Sequence, residues 1–270
     1  MLINLCFLEY AKANIAENFT QPMDYFPLSR EARKVQLSST APELQDPHVS
    51  TLIIGGGGVP RGRDVDRWVT LHEIAAAVSS HMPIVIWGMG INDHGRFDRN
   101  YGEILLSLER RRNVLIGMRD FFYARYVPCA SCMRPEFDAD VTVQHEIGVY
   151  VHHSYDIPLC YPTMSNEVQG DPVSYFRRVI QFLGSCETIV TNTYHGAYWA
   201  TLLNRKVIVV NPFSNKFLGF KHEPVIVQDA ARVGYAARFA QRYSNALSES
   251  RQANIDFCAQ VLEFRNTLAQ

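Results

Sequence analysis

Several things are scarce in this chain of 270 residues, and each scarcity narrows what it can do. Net charge is nearly absent: 26 Lys and Arg stand against 27 Asp and Glu, so no global basic field points to nucleic acid. No apolar run approaches the roughly 18 residues that suggest a membrane span. The first residues, MLINLCFLEY, are apolar but lack a basic flank and a small-residue cleavage site, which reads as a buried strand and not a leader peptide. These features predict a cytoplasmic protein with no integral membrane segment, able to visit a membrane periphery only through its substrate. Cysteine is sparse and scattered. Only Cys129 and Cys132 have C-x-x-C spacing, and without a second pair or well-spaced histidines they read as reduced thiols in a loop, not a zinc site. Glycine is missing before Gly55, so the first predicted strand, residues 2–7, runs on through Leu8-Glu9-Tyr10 instead of into a glycine-rich turn.

What is present describes a folded α/β protein. Hydrophobic residues make up 47% and charged residues 20%, a profile that can fill a sizeable core. Buried strands are predicted at residues 51–54, 83–87, 113–118, 147–152, 187–191 and 206–210. Between them lie helical patterns at 68–80, 101–111, from Pro172 with Asp171 as its cap, and at 194–203, with helical sequence again from about Ala230 to the end. Alternating strands and helices predict parallel sheet covered on both faces. The aperiodic, proline-bearing stretch around 126–142 reads as a linker or loop. The fold class expected is therefore α/β with two Rossmann-like halves facing a cleft: residues 1–137, then 138–270, with the C-terminal helices crossing back. Ligands of such sheets gather at the carboxyl ends of strands, here in the cleft.

The strand ends carry the candidate chemistry. Gly55–Gly58, which includes Gly56 and Gly57, permits close backbone approach or a tight packing turn, and Arg61 and Arg63 follow it. Gly88-Met89-Gly90-Ile91-Asn92 repeats the theme. Arg119-Asp120 ends another strand. Its arginine suits a carboxylate or phosphate, or else a structural pair. In Asn192-Thr193-Tyr194-His195-Gly196 a histidine sits where strand gives way to helix, and a helix start favours an anion. Adjacent parallel strands would set the Asn215-Lys216 loop beside it. Asp138 and Glu146 are weaker candidates for a base. Tyr155, Tyr161 and Asn166, in the irregular stretch 155–170, suit stacking on a sugar, though a surface loop packed by its own aromatics is the simpler reading.

In order, LIIGGGG at 52–58, WGMGIN at 87–92, GMRD at 117–120 and TNTYHGAYWATLLNRKVIVVNPFSNKF at 191–217 resemble the polysaccharide pyruvyl transferase family over about residues 51–220. The resemblance implies a glycosyltransferase-B-like architecture. It also implies transfer of a pyruvyl group from phosphoenolpyruvate to a sugar or lipid-linked saccharide in exopolysaccharide or cell-surface glycan synthesis, with neither metal nor other cofactor. It implies a catalytic role for His195, with Asp120 a weaker candidate for the base. Gly56, Gly57, Arg61, Arg63, Asn92, Arg119, Asn192, Thr193, Gly196, Asn215 and Lys216 are then the donor- or anion-binding candidates. Where family members carry an arginine two residues before the histidine, this chain has Thr193. Two other functions fit the same residues: a glycosyltransferase using a nucleotide-activated sugar, and a non-catalytic carbohydrate- or nucleotide-binding protein.

Overall fold

The computed structural model describes residues 1–6, 14–36, 38–56, 58–60, 67–92 and 99–268. Strands β1 (Leu2–Cys6), β2 (Ala32–Gln36), β3 (Thr51–Gly55), β4 (Gly58–Pro60), β5 (Ile84–Asn92) and β6 (Val114–Met118) build a first sheet. Its order is β2-β1-β3-β5-β6, with β4 pairing the far end of β5, and every pairing is parallel. Helices α1 (Arg67–Ala77) and α2 (Arg99–Glu109) supply two of its crossovers. A second sheet contains β7 (His145–Val151), β8 (Thr163–Ser165), β9 (Cys186–Thr191), β10 (Lys206–Val210) and β11 (Val225–Val227) in the order β11-β10-β9-β7-β8, again all parallel. Its helices are α3 (Pro172–Gly184), α4 (Tyr194–Leu202) and the short α5 (Val233–Ala236), and α6 (Ala246–Leu268) closes the chain. The architecture is thus α/β with two parallel sheets, Rossmann-like in each half. Among the described residues no helix is long and apolar enough to cross a membrane.

Local sequence explains the elements that matter for the site. The α3 start is set by Pro172 in its first turn and by Asp171, whose carboxylate accepts the Ser174 N–H at 2.8 Å. Strands β3 and β5 are continuous apolar runs because helices cover both faces of the sheet. By contrast α4, Tyr-His-Gly-Ala-Tyr-Trp-Ala-Thr-Leu, has no exposed face, and all nine of its residues are buried.

The chain crosses between the halves twice. Ile15 and Phe19 leave the first sheet to join the second core, where Phe19 meets Phe176 at 4.5 Å. In return, α6 places Phe257 and Val261 among Leu2, Ile53, Val85 and Trp87, and Asn254 accepts the Trp87 indole N–H at 2.8 Å. The stretch around 126–142 is no exposed linker either: Cys129, Ala130, Ser131 and Cys132 are completely or almost completely buried beneath α4 and α6. Each half fills a hole in the other, so the seam between the sheets is a packed junction.

Candidate functional site

The carboxyl ends of the two sheets meet at this seam. The turn Asn215–Phe217, beyond β10, packs against β5, and the Phe121 N–H donates to the Gly219 carbonyl at 2.9 Å. Arg119 and Asp120 leave the end of β6 here and fold over Gly90. A Cβ at Gly90 would collide with the Arg119 Nε and the Asp120 carboxylate, so the second glycine of the Gly-Met-Gly run gives passage to these two side chains.

Arg119 is 2% exposed, and its guanidinium carbon lies 3.7 Å from the centre of the Tyr194 ring, at the start of α4 in the opposite half. Its Nε finds no hydrogen-bond partner among the described residues. Asp120 is equally buried, and its Oδ2 accepts the Ile91 N–H at 2.7 Å. Burial raises its pKa to about 6, against the pull of Arg119 and that hydrogen bond.

From the second half come His195 and Lys216. His195 lies in the first turn of α4, with Nε2 3.5 Å from the Cys129 Sγ and its ring 5.2 Å from that of Trp199. Burial holds its pKa well below the ordinary value, and the charges of Arg119 and Lys216 add to the effect. The imidazole is therefore neutral in the empty site. The Lys216 ammonium stands 4.2 Å from the centre of the Phe213 ring and 5.4 Å from that of Phe217. Burial brings it down to about 7, Arg119 pushes the same way, and Glu17 opposes them. His152, at the end of β7, is pushed to about 4 by burial, with His153 and Lys216 contributing. Burial is the largest cause of each shift, and the charge of Arg119 adds to those of His195 and Lys216 across the seam.

Other predicted residues have structural duties. Thr193 caps α4: its Oγ1 accepts the Gly196 N–H at 2.9 Å, so neither that hydroxyl nor that amide is turned to a ligand. Gly196 is glycine because a Cβ would strike Thr193, Tyr150 and Thr191. Asn192 spends its amide on the neighbouring loop, accepting from His152 N–H at 2.7 Å and donating to the Tyr155 carbonyl at 3.0 Å. Gly56 adopts a left-handed backbone with φ 72° and packs against Thr20, which makes it a tight packing turn. Asn92 ends β5 with a buried Oδ1 that lacks a partner among the described residues. Asn215 opens the turn that carries Lys216, and its carbonyl accepts the Leu218 N–H at 2.9 Å. Gly57, Arg61 and Arg63 lie outside the described residues. Asp138 is remote, held in a two-pronged pair by Arg251, and Glu146 is exposed on β7.

Several neighbours carry no signal in the sequence. Ser214, 8% exposed, adds a third buried polar atom without a described partner, beside Lys216. Cys129 is fully buried at the end of a chain that runs from the Trp199 indole N–H through Ser131 Oγ (3.0 Å) to Cys129 Sγ (3.3 Å) and on to His195. Burial pushes both thiols up, Cys132 to about 12, so they pack as neutral groups, and Cys129 steadies the His195 ring. Among the described residues no three His, Cys, Asp or Glu gather as metal ligands.

A cavity of about 520 Å³ adjoins the cluster on the carboxyl edge of the second sheet, and Phe213 belongs to both.

Comparison with protein-family models returns no match, and comparison with curated proteins returns none either. Among solved structures the chain is similar to an uncharacterized protein from Klebsiella pneumoniae subsp. pneumoniae NTUH-K2044, with 15% identity and a TM-score of 0.47. That match covers 77% of this chain and 82% of the other, and it carries no weight for fold or function.

Proposed function

We propose that the protein is a transferase of glycosyltransferase-B-like architecture that moves a pyruvyl group from phosphoenolpyruvate to a saccharide. The observation that carries this reading is the cluster of Arg119, His195 and Lys216 in a buried seam, with Arg119 Nε left without a described partner. Asp120 and Glu17 offset part of this charge, and a buried site that keeps basic groups with a polar atom unpartnered suits an anion. Phosphoenolpyruvate, a small trianion with a carboxylate and a phosphate, matches that demand. The place of Thr193 also fits. Thr193 is consumed as a helix cap, and Arg119 arrives from the other sheet to lay its guanidinium over Tyr194, the next residue.

The chemistry needs a proton at the methylene carbon, and a base for the attacking hydroxyl. Protonation turns the methylene into a methyl group and makes the central carbon electrophilic. One sugar hydroxyl adds and loses its proton, phosphate leaves with the C–O bonding pair, and a second hydroxyl of the same sugar closes the ketal. Of the two hydroxyl protons released, one balances the proton delivered to carbon, and the other leaves on hydrogen phosphate. Asp120, with a pKa raised to about 6, is the candidate proton donor, and neutral His195 is the candidate base. Arg119 and Lys216 hold the carboxylate and phosphate.

A second reading, a glycosyltransferase with a nucleotide-activated sugar, is favoured by the cavity beside the cluster, which has room for a nucleoside. The deciding experiment is a phosphate-release assay with phosphoenolpyruvate and a panel of saccharides, run beside thermal shifts with phosphoenolpyruvate, UDP-sugars and CMP-sugars. The transferase reading expects saccharide-dependent phosphate release that His195→Ala abolishes. Stabilisation by a nucleotide sugar and none by phosphoenolpyruvate contradicts it.

A further inference from the structure

The cavity beside the anion cluster has its own chemistry. Its walls come from the loop after β7, the ends of β9 and β10, and the segment after β11. Tyr155 is 53% exposed and stacks on Phe213, with ring centres 4.9 Å apart and planes at 26°, which presents an aromatic platform to the cavity. Around it stand Asn211, Gln228, Asp156 and Asp229. Each aspartate is oriented by one local hydrogen bond: Asp156 Oδ1 accepts the Ile157 N–H at 2.8 Å, and Asp229 Oδ1 accepts the Ala231 N–H at 2.9 Å. The second oxygen of each is left for another donor. Asn211 holds a left-handed backbone, φ 45°, while its N–H donates to the Val227 carbonyl at 2.8 Å.

Charge decides which ligand fits. The lining contains two aspartates and no Lys, Arg or His, so a phosphate placed here would meet carboxylates with no cation in the lining to offset them, Lys216 lying on the Phe213 ring at its border. A neutral polyhydroxyl compound has no such conflict. Its C–H face packs on an aromatic ring, and its hydroxyls donate to carboxylates and exchange hydrogen bonds with planar amides. We infer that this cavity binds a neutral saccharide unit, with Tyr155 as the stacking platform. The position of Phe213, which lines the cavity and carries Lys216 on its ring, then sets the saccharide next to the anion cluster as the acceptor. The acceptor role rests on the transferase reading, whereas saccharide binding in the cavity does not.

The test is saturation-transfer NMR on the full chain with methyl glycosides of galactose, glucose and mannose, and with UMP and CMP as anionic comparators. Inorganic phosphate binding is measured by calorimetry in parallel. At least one glycoside should show transfer to its ring C–H protons. Tyr155→Ala should bind it about tenfold more weakly, Tyr155→Trp should restore binding, and neither should alter phosphate affinity. The inference is overturned if no glycoside shows transfer, if Tyr155→Ala leaves the signal intact, or if UMP or CMP displaces the glycoside. Glycoside binding without phosphate binding would remove the transferase reading and leave the saccharide site standing. Phosphate binding without glycoside binding would do the reverse.

Discussion

The two sheets bring their carboxyl edges to one seam but finish them differently. On the second edge the polar groups around the start of α4 are spent, the Thr193 hydroxyl on Gly196 and the Asn192 amide on His152 and Tyr155, while Ser214 Oγ, beyond β10, lacks a described partner. On the first edge Arg119 Nε and Asn92 Oδ1 are buried without a described partner. Buried polar groups are nearly always paired, so the exceptions mark where something else belongs. The second edge is finished around the α4 cap that aims His195, while the first holds open groups over it. Anion affinity should therefore be more sensitive to changes on the first edge, and stability to changes on the second.

The largest expected effect tests that asymmetry. Arg119→Ala should weaken phosphoenolpyruvate or sulfate binding by about 100-fold in calorimetry, since a charge-assisted, desolvated contact is lost. Arg119→Lys should recover little, because an ammonium cannot reproduce the planar fork. Gly90→Ala should follow. Its methyl group collides with Arg119 and Asp120, so denaturant unfolding should show a loss of about 2 kcal/mol, and anion binding should fall with it.

Lys216 separates binding from stability, with a sign that depends on pH. Its pKa falls from 10.5 to about 7 on folding, so between those values the unfolded chain binds more protons and stability rises with pH. Below about 7 the folded protein carries the full cost of a buried ammonium. Lys216→Met should therefore stabilise the empty protein by about 1–3 kcal/mol at pH 6, a gain that fades as pH rises towards 10. Sulfate keeps its charge across this range. Wild-type affinity for it should drop above pH 7, and the variant should bind weakly at every pH. Arg119, His195, His152 and Glu17 are the charged or titrating groups that share electrostatics with Lys216, and the two histidines stay neutral over this range because burial depresses them.

The smallest effect belongs to the finished edge. Thr193→Ala removes the cap of α4 and should cost about 1 kcal/mol in unfolding, with anion affinity almost unchanged. A large loss of binding in this variant would erase the distinction between the two edges.

The legible parts of the molecule had strong local signals. Strands β3, β5, β6 and β10 are largely apolar runs, β9 carries Ile189 and Val190 in its middle, and α3 announces itself through Asp171 and Pro172. Neighbourhood in a parallel sheet was enough to bring His195 and Lys216 together, because β9 and β10 pair directly. The edge strand β2, Ala-Arg-Lys-Val-Gln, was invisible because it is mostly exposed and carries no apolar pattern. Cys129 could not be placed beside His195, since the stretch that holds it has no period and its burial comes from α4 and α6, distant in sequence. From sequence, Arg119 suits an anion or a structural pair. What the sequence could not contain was its crossing to Tyr194, a contact between halves. Glycines were the most ambiguous letters: Gly56 and Gly196 look like ligand turns but are packing sites, while Gly90 serves the site indirectly by letting Arg119 past.

The most direct test of the seam as an anion site is calorimetric titration of phosphoenolpyruvate into the wild-type protein and into Arg119→Ala. Saturable binding in the wild type that disappears in the variant is the predicted result. No binding to the wild type, or equal binding to both, would contradict the account.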